Sequence, residues 1–122
     1  MREFGELESA IMDVVWDSDR AYLVREVRER LSYNRPLAYT TVMTVMNILY
    51  GKGVLCREKH GRAWRYCAAA DREAYVTELM MYALDQTGDR SAALASFARR
   101  VSDAEAKVLR KALESLGETA RD

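Results

Sequence analysis

Cysteine occurs twice, histidine once and proline once in the 122 residues, and each scarcity excludes something. Cys56 and Cys67 form neither a CxxC nor a CxC pair, which argues against a zinc finger and against a disulfide framework. A chain of this length can bury a core without such staples, so folding calls for no metal and no cofactor. Long apolar runs are also missing: no stretch of 18 apolar residues occurs, and the first ten residues, MREFGELESA, carry acids where a signal peptide needs an apolar segment. These absences predict a cytoplasmic protein with no membrane segment. Catalytic signatures are missing too. There is no GxSxG, no phosphate-binding glycine loop and no Cys-His pair at a suggestive spacing, so the chain reads as a non-enzyme.

Net charge is absent as well, with 19 basic residues against 19 acidic, but the balance is local rather than uniform. Between Tyr33 and Cys67 stand Arg35, Lys52, Arg57, Lys59, Arg62 and Arg65 against the single acid Glu58. Screening confines electrostatics to about 8 to 10 Å, so a basic face suffices for a nucleic acid whatever the total. The overall neutrality therefore leaves DNA binding open.

What is present is mostly helical periodicity. Phe4, Leu7, Ile11, Val14 and Val15 predict a first helix closed by the polar turn DSDR at 17–20, and Val24, Val27 and Leu31 predict a short second one closed by SYNRP. Pro36 biases Arg35 away from helical geometry, so a third helix is expected from about residues 37–39 to Gly51. Its inner face is Val42, Val45, Met46 and Leu49. The outer face, Thr40, Thr41, Met43, Thr44 and Asn47, is short and uncharged. Solvent-facing helices usually carry Lys and Glu there, so this face suits a second macromolecular surface.

Two strand-like runs, VLCREKH and RAWRYC, follow and meet at His60 and Gly61, where a turn is expected to hold both residues. The result is a two-stranded hairpin that leans on the helices through Val54, Leu55 and Tyr66, with Arg57, Lys59, Arg62 and Arg65 toward its tip. Three helices are thus expected before any strand. From Asp71, a plausible helix cap, the chain reads helical to its end. Val76, Leu79, Met80, Ala83 and Leu84 form one stripe, Leu94, Phe97 and Val101 a second, and Val108, Leu109, Ala112, Leu113 and Leu116 a third that opens with the capping box SDAE and ends before Gly117. Three amphipathic helices without a sheet bury their stripes poorly on one another. A partner chain would supply the missing surface.

Three helices followed by a basic hairpin is the order of a winged helix-turn-helix, in which the third helix enters the DNA major groove and the wing rests on the backbone. The fold class is therefore mainly α with a small β-hairpin: a winged helix-turn-helix at 1–70 that binds DNA and a helical dimerisation region at 71–122. A threonine methyl can meet the thymine methyl, and an Asn can pair an adenine, which gives the outer face of the third helix a purpose.

The segments GELESAIMDVVW, VREVRERL, RPLAYTTVMTVMNILYGKGVL, REKHGRAWRY and ALASFARRVSDAEAKVLRKAL together resemble the penicillinase repressors of BlaI/MecI/CopY type over nearly the whole chain. The resemblance implies a homodimeric transcriptional repressor on an inverted-repeat operator of antibiotic-resistance genes. On the helical and strand pattern, DNA contacts are expected at Thr40, Thr41, Met43, Thr44, Asn47, Arg57, Lys59, Arg62 and Arg65, and the dimer interface at Leu79, Met80, Leu84, Phe97, Val108, Leu109 and Leu113. The resemblance also implies release by a regulatory protease that cuts a C-terminal helix, commonly at Asn-Phe. The matching position here is Ser96-Phe97, which keeps the aromatic and changes its neighbour. The copper-responsive branch carries a C-terminal CxC, absent from this tail, so copper sensing is not implied. Two competing readings stay open on the residues alone. Cys56 and Cys67 on adjacent strands suit a thiol- or metal-sensing winged-helix regulator, and the same fold can serve as a protein-interaction adaptor.

Overall fold

A computed structural model describes residues 4–31 and 35–121, the side chains of 119–121 excepted. Among the described residues the order is α1 (Glu6–Trp16), β1 (Tyr22–Leu23), α2 (Val24–Arg30), α3 (Tyr39–Gly51), β2 (Leu55–His60), β3 (Ala63–Ala68), α4 (Arg72–Leu84), α5 (Arg90–Ala98) and α6 (Asp103–Arg121). The chain divides into two compact units, Met1–Met80 and Met81–Asp122. That division falls inside α4, because the first turns of α4 pack with the N-terminal helices.

The N-terminal unit is organised by one apolar cluster. Helical spacing puts Ile11, Met12 and Val15 of α1, Val27 of α2 and Val42, Met46 and Leu49 of α3 on inward faces, where each is buried. Tyr22, Val54, Leu55 and Tyr66 close the cluster from the strand side, so the hairpin leans on the helices as its sequence predicts. Side-chain caps and anchors hold the elements in place. Glu26 Oε1 accepts from the Leu23 amide at 2.8 Å at the start of α2, and Arg28 Nε donates to the Leu37 carbonyl at 2.7 Å, tying α2 to the approach to α3. Phe4 and Tyr75 stack at 4.2 Å between ring centroids, Trp16 lies 5.5 Å from Tyr75, and Arg72 pairs with Asp13 at 3.1 Å. These contacts fix the start of α4 on α1.

The structure differs from the sequence reading at four points. A strand, β1, precedes α2 and pairs with β3, giving a three-stranded antiparallel sheet of order β1-β3-β2 in place of a two-stranded hairpin. His60 is not in the turn: it pairs with Ala63 as the last residue of β2, and the turn is Gly61 and Arg62. Gly61 has φ 65° while no non-glycine residue is positive among those described, which is the pattern of a II′ hairpin turn with Gly first. Val101 lies beyond the end of α5 at Ala98. Gly117 does not end α6, which runs on to Arg121; a single Gly costs a helix interior only about 1 kcal/mol. Ser32, Tyr33 and Asn34 of the SYNRP turn lie outside the described residues.

The C-terminal unit is built of well-capped helices with no buried side chain among its described residues. Asp89 caps α5 through the Ala92 amide at 3.1 Å. At α6 the capping box forms as its sequence predicts: Ser102 Oγ accepts from the Glu105 amide at 3.1 Å, and Glu105 Oε1 accepts from the Ser102 amide at 2.8 Å. The Ser102 amide holds the Glu105 carboxyl below its ordinary value. Leu94, Phe97, Val108, Leu109, Leu113 and Leu116 are exposed, Val108 to 70% and Leu113 to 66%. Leu79 and Leu84 of α4 are half-buried, and Met80 is exposed.

Candidate nucleic-acid interface

A concavity of about 580 Å³ lies between α3 and the hairpin of the N-terminal unit. Its lining includes Met43 and Asn47 of α3, Arg57 and Trp64 of the strands, Arg62 at the turn, and Arg25 of α2. No acid lines it. Among the described residues, no carboxylate lies within ion-pair distance of Arg25, Arg57, Lys59, Arg62 or Arg65. Uncompensated cations around an open groove are the electrostatic signature of a polyanion site.

Strand alternation sorts the basic side chains. The register pairs Arg57 with Tyr66, Lys59 with Trp64 and Glu58 with Arg65, so Arg57 and Lys59 share the face of Trp64 and Tyr66, and Arg65 lies on the opposite face. Lys59 Nζ stands 4.5 Å from the centre of the Trp64 ring, which gives Trp64 a role in holding a cation. Arg65 instead approaches His60 Nε2 at 3.2 Å. The four basic residues read as one tip are therefore divided between two faces.

On α3, Val42, Met46 and Leu49 are buried and Val45 is half-buried, which leaves Thr40, Thr41, Thr44 and Asn47 exposed and Met43 half-buried beside the groove. Thr44 Oγ1 donates to the Thr40 carbonyl at 2.8 Å, so its hydroxyl proton is committed to the helix while its methyl and lone pairs stay outward. Asn47 Oδ1 accepts from the Tyr66 hydroxyl at 2.6 Å and from Arg57 Nη1 at 3.1 Å. Arg57 itself lies between two rings, 4.0 Å from the centre of Tyr50 and 4.3 Å from that of Trp64, with its Nε buried and unpartnered.

Sequence reasoning missed Arg25, Tyr39 and Tyr50. Arg25 had the pattern of a solvated residue on α2, and only tertiary packing brings it to the groove. The two cysteines are free, and the register sets Cys56 opposite Cys67. Burial, then the Cys56 thiol, push the Cys67 thiol up, which keeps it protonated and makes it a poor nucleophile or metal ligand. Among the described residues no group of three His, Cys, Asp or Glu is placed to hold a metal, and no helix is long and apolar enough to cross a membrane.

A helical trio, a hairpin packed on its third helix and a cationic groove between them define a winged helix-turn-helix protein. The penicillinase repressor family model matches residues 4–115, and the transcriptional regulator BlaI of Mycobacterium tuberculosis (strain CDC 1551 / Oshkosh) is 43% identical over 119 residues, covering 95% of this chain and 86% of that protein. The chain belongs to the penicillinase repressor family, whose members of this kind are transcriptional repressors and not enzymes. The solution structure of the DNA-binding domain of the repressor BlaI is similar, with a TM-score of 0.51 at 27% identity, covering 62% of this chain and 94% of that one. A MarR family protein from Bacillus stearothermophilus shares the fold, with a TM-score of 0.50 at 16% identity over 99% of this chain and 78% of its own.

Proposed function

We propose that this repressor binds an inverted-repeat DNA operator as a homodimer, with α3 in the major groove and the β2–β3 wing on the backbone. The observation that carries the reading is the acid-free groove between α3 and the wing, with Arg25, Arg57 and Arg62 in its lining. Thr40, Thr41, Met43 and Thr44 supply short side chains for base edges and thymine methyls, while Lys59, Arg62 and Arg65 supply charge for phosphates. Residues 1–70 act as the DNA-binding part and 71–122 as the dimerising part. The exposed leucines of α6, with Leu79, Met80 and Leu84 of α4 and Phe97 of α5, support an interface with a second copy, since apolar surface of this extent is costly in water.

Antibiotic-resistance genes are the targets the family suggests, and the cytoplasm is the compartment. Release follows from cutting Ser96-Phe97. Both residues are exposed on α5, and the cut separates α6 with Val108, Leu109 and Leu113 from the DNA-binding part. A regulatory protease would have to open α5 locally to reach the bond.

Selection from duplexes with a randomised core tests the reading. An inverted repeat should emerge, and its affinity should fall steeply with salt, because each neutralised phosphate releases counterions. A protein that selects no sequence and shows no salt dependence would be the protein-interaction adaptor instead.

A further inference from the structure

We propose that Asn47 does not read a base but is a positioning residue, which clasps the wing to α3 and fixes Arg57 for a backbone phosphate. The inference rests on the DNA-binding reading above. An Asn that recognises adenine must offer its Oδ1 as an acceptor and its Nδ2 as a donor together. Here both lone pairs of Oδ1 are taken, by the Tyr66 hydroxyl at 2.6 Å and by Arg57 Nη1 at 3.1 Å. The amide orientation is forced, because a guanidinium can only donate and would meet the Nδ2 protons if the group were turned.

The clasp crosses from helix to strands at several points. Asn47 and Tyr50 stand one turn apart on α3, and Arg57, Trp64 and Tyr66 come from the paired strands β2 and β3. Arg57 is held edge-on by Asn47 and face-on by the rings of Tyr50 and Trp64 at 4.0 and 4.3 Å. No carboxylate neutralises it among the described residues. A cation fixed in this way in the wall of the groove loses little freedom on meeting a phosphate, which is preorganisation. Helix and wing then engage DNA as one body.

Tyr66 makes the idea testable, because it is only 1% exposed and its hydroxyl is given to Asn47. Tyr66→Phe removes that bond while keeping the ring, so an effect on binding is read through Asn47. In the full-length protein, Tyr66→Phe and Asn47→Ala should each weaken the wild-type-selected duplex by roughly 2- to 12-fold, the value of one hydrogen bond, with no change in the selected bases. The double variant should bind no more weakly than Asn47→Ala alone. In the free protein, NMR should show a slowly exchanging Arg57 Nε–H that exchanges faster in each variant. If Tyr66→Phe fails to fold, Tyr50→Leu, which removes the outer ring over Arg57, should speed that exchange and weaken binding without altering base preference. A changed base preference in Asn47→Ala, additive effects in the double variant, or a fast-exchanging Arg57 in the wild type would overturn the proposal. A wild-type protein that selects no sequence would sink the DNA reading alone, and the exchange measurement would still decide the clasp.

Discussion

The two units of this chain use similar proportions of apolar residues to opposite ends. In the N-terminal unit, Ile11, Met12, Val27, Val42, Met46 and Leu49 are fully buried and packed into one cluster. In the C-terminal unit, Val108, Leu113 and Leu116 are each about two-thirds exposed on α6, whose N-terminal capping box is formed. Periodicity alone does not distinguish the cases, since both sets recur at helical spacing. The difference is that the first unit has a sheet and three crossing helices to close around its stripes, and the second has helices only. Good capping specifies where a helix begins; it does not specify what the helix packs against.

The strongest way to break this comparison is to charge the exposed stripe. Leu109→Asp or Leu113→Asp should convert the proposed dimer to monomers by light scattering at micromolar protein. Affinity for an inverted repeat should then fall by about 100- to 10,000-fold, because the second half-site no longer binds intramolecularly. A dimer that survives both changes would remove α6 from the interface.

Truncation in the closed core should act differently. Met46→Ala or Leu49→Ala removes fully buried volume and should cost about 2 to 5 kcal/mol in denaturant unfolding, independently of protein concentration. Leu113→Ala should lower the melting temperature in a concentration-dependent way, because its loss is felt through association. If both variants showed the same concentration dependence, the two units would not differ as described.

Arg62→Ala at the tip of the wing should leave dimerisation and fold intact. It should reduce the salt slope of DNA binding by about one unit, the share of one phosphate. An unchanged slope would place Arg62 off the DNA.

The smallest effect sharpens the electrostatics of the N-terminal unit. At Glu26 the Leu23 amide is the largest influence and, with Arg20, outweighs burial. At Glu8 burial is the largest influence and raises the carboxyl, but Lys52 and the Gly5 amide together outweigh it. Both carboxyls are therefore held below the ordinary glutamate value. A depressed carboxyl contributes stability above its unfolded pKa, and that contribution is lost as pH falls through its folded value. Stability by urea titration should thus be flat from neutral pH to about 5 and decline below the ordinary glutamate pKa of about 4.3. Glu26→Gln should flatten part of that decline.

Much of the fold was legible in the sequence because helix periodicity, Pro36 and the SDAE box are local signals. The bounds of α3 and the caps at Asp71 and Ser102 follow from a few adjacent residues. β1 escaped because two residues, Tyr22 and Leu23, are too short to show alternation, and their strand character comes entirely from pairing with Tyr66 and Arg65. His60 was misplaced because Gly61 alone supplies the positive φ, so the turn begins one residue later. At the site, the threonine face and the basic wing were readable from composition. The hydrogen bonds that join them were not, because Asn47 meets its partners 10 and 19 residues away.

The two tryptophans stand in unlike surroundings, and this makes them separate optical reporters. Trp16 sits with Phe4 and Tyr75 and donates its indole N–H to the Ala70 carbonyl at 3.0 Å, so its emission follows the docking of α4 on α1. Trp64 lies under the Arg57 and Lys59 cations in the wall of the groove, so its emission follows whatever draws those charges away. With Trp16→Phe, the remaining tryptophan emission belongs to Trp64 in the wing, and DNA engagement can be followed in real time with no attached dye.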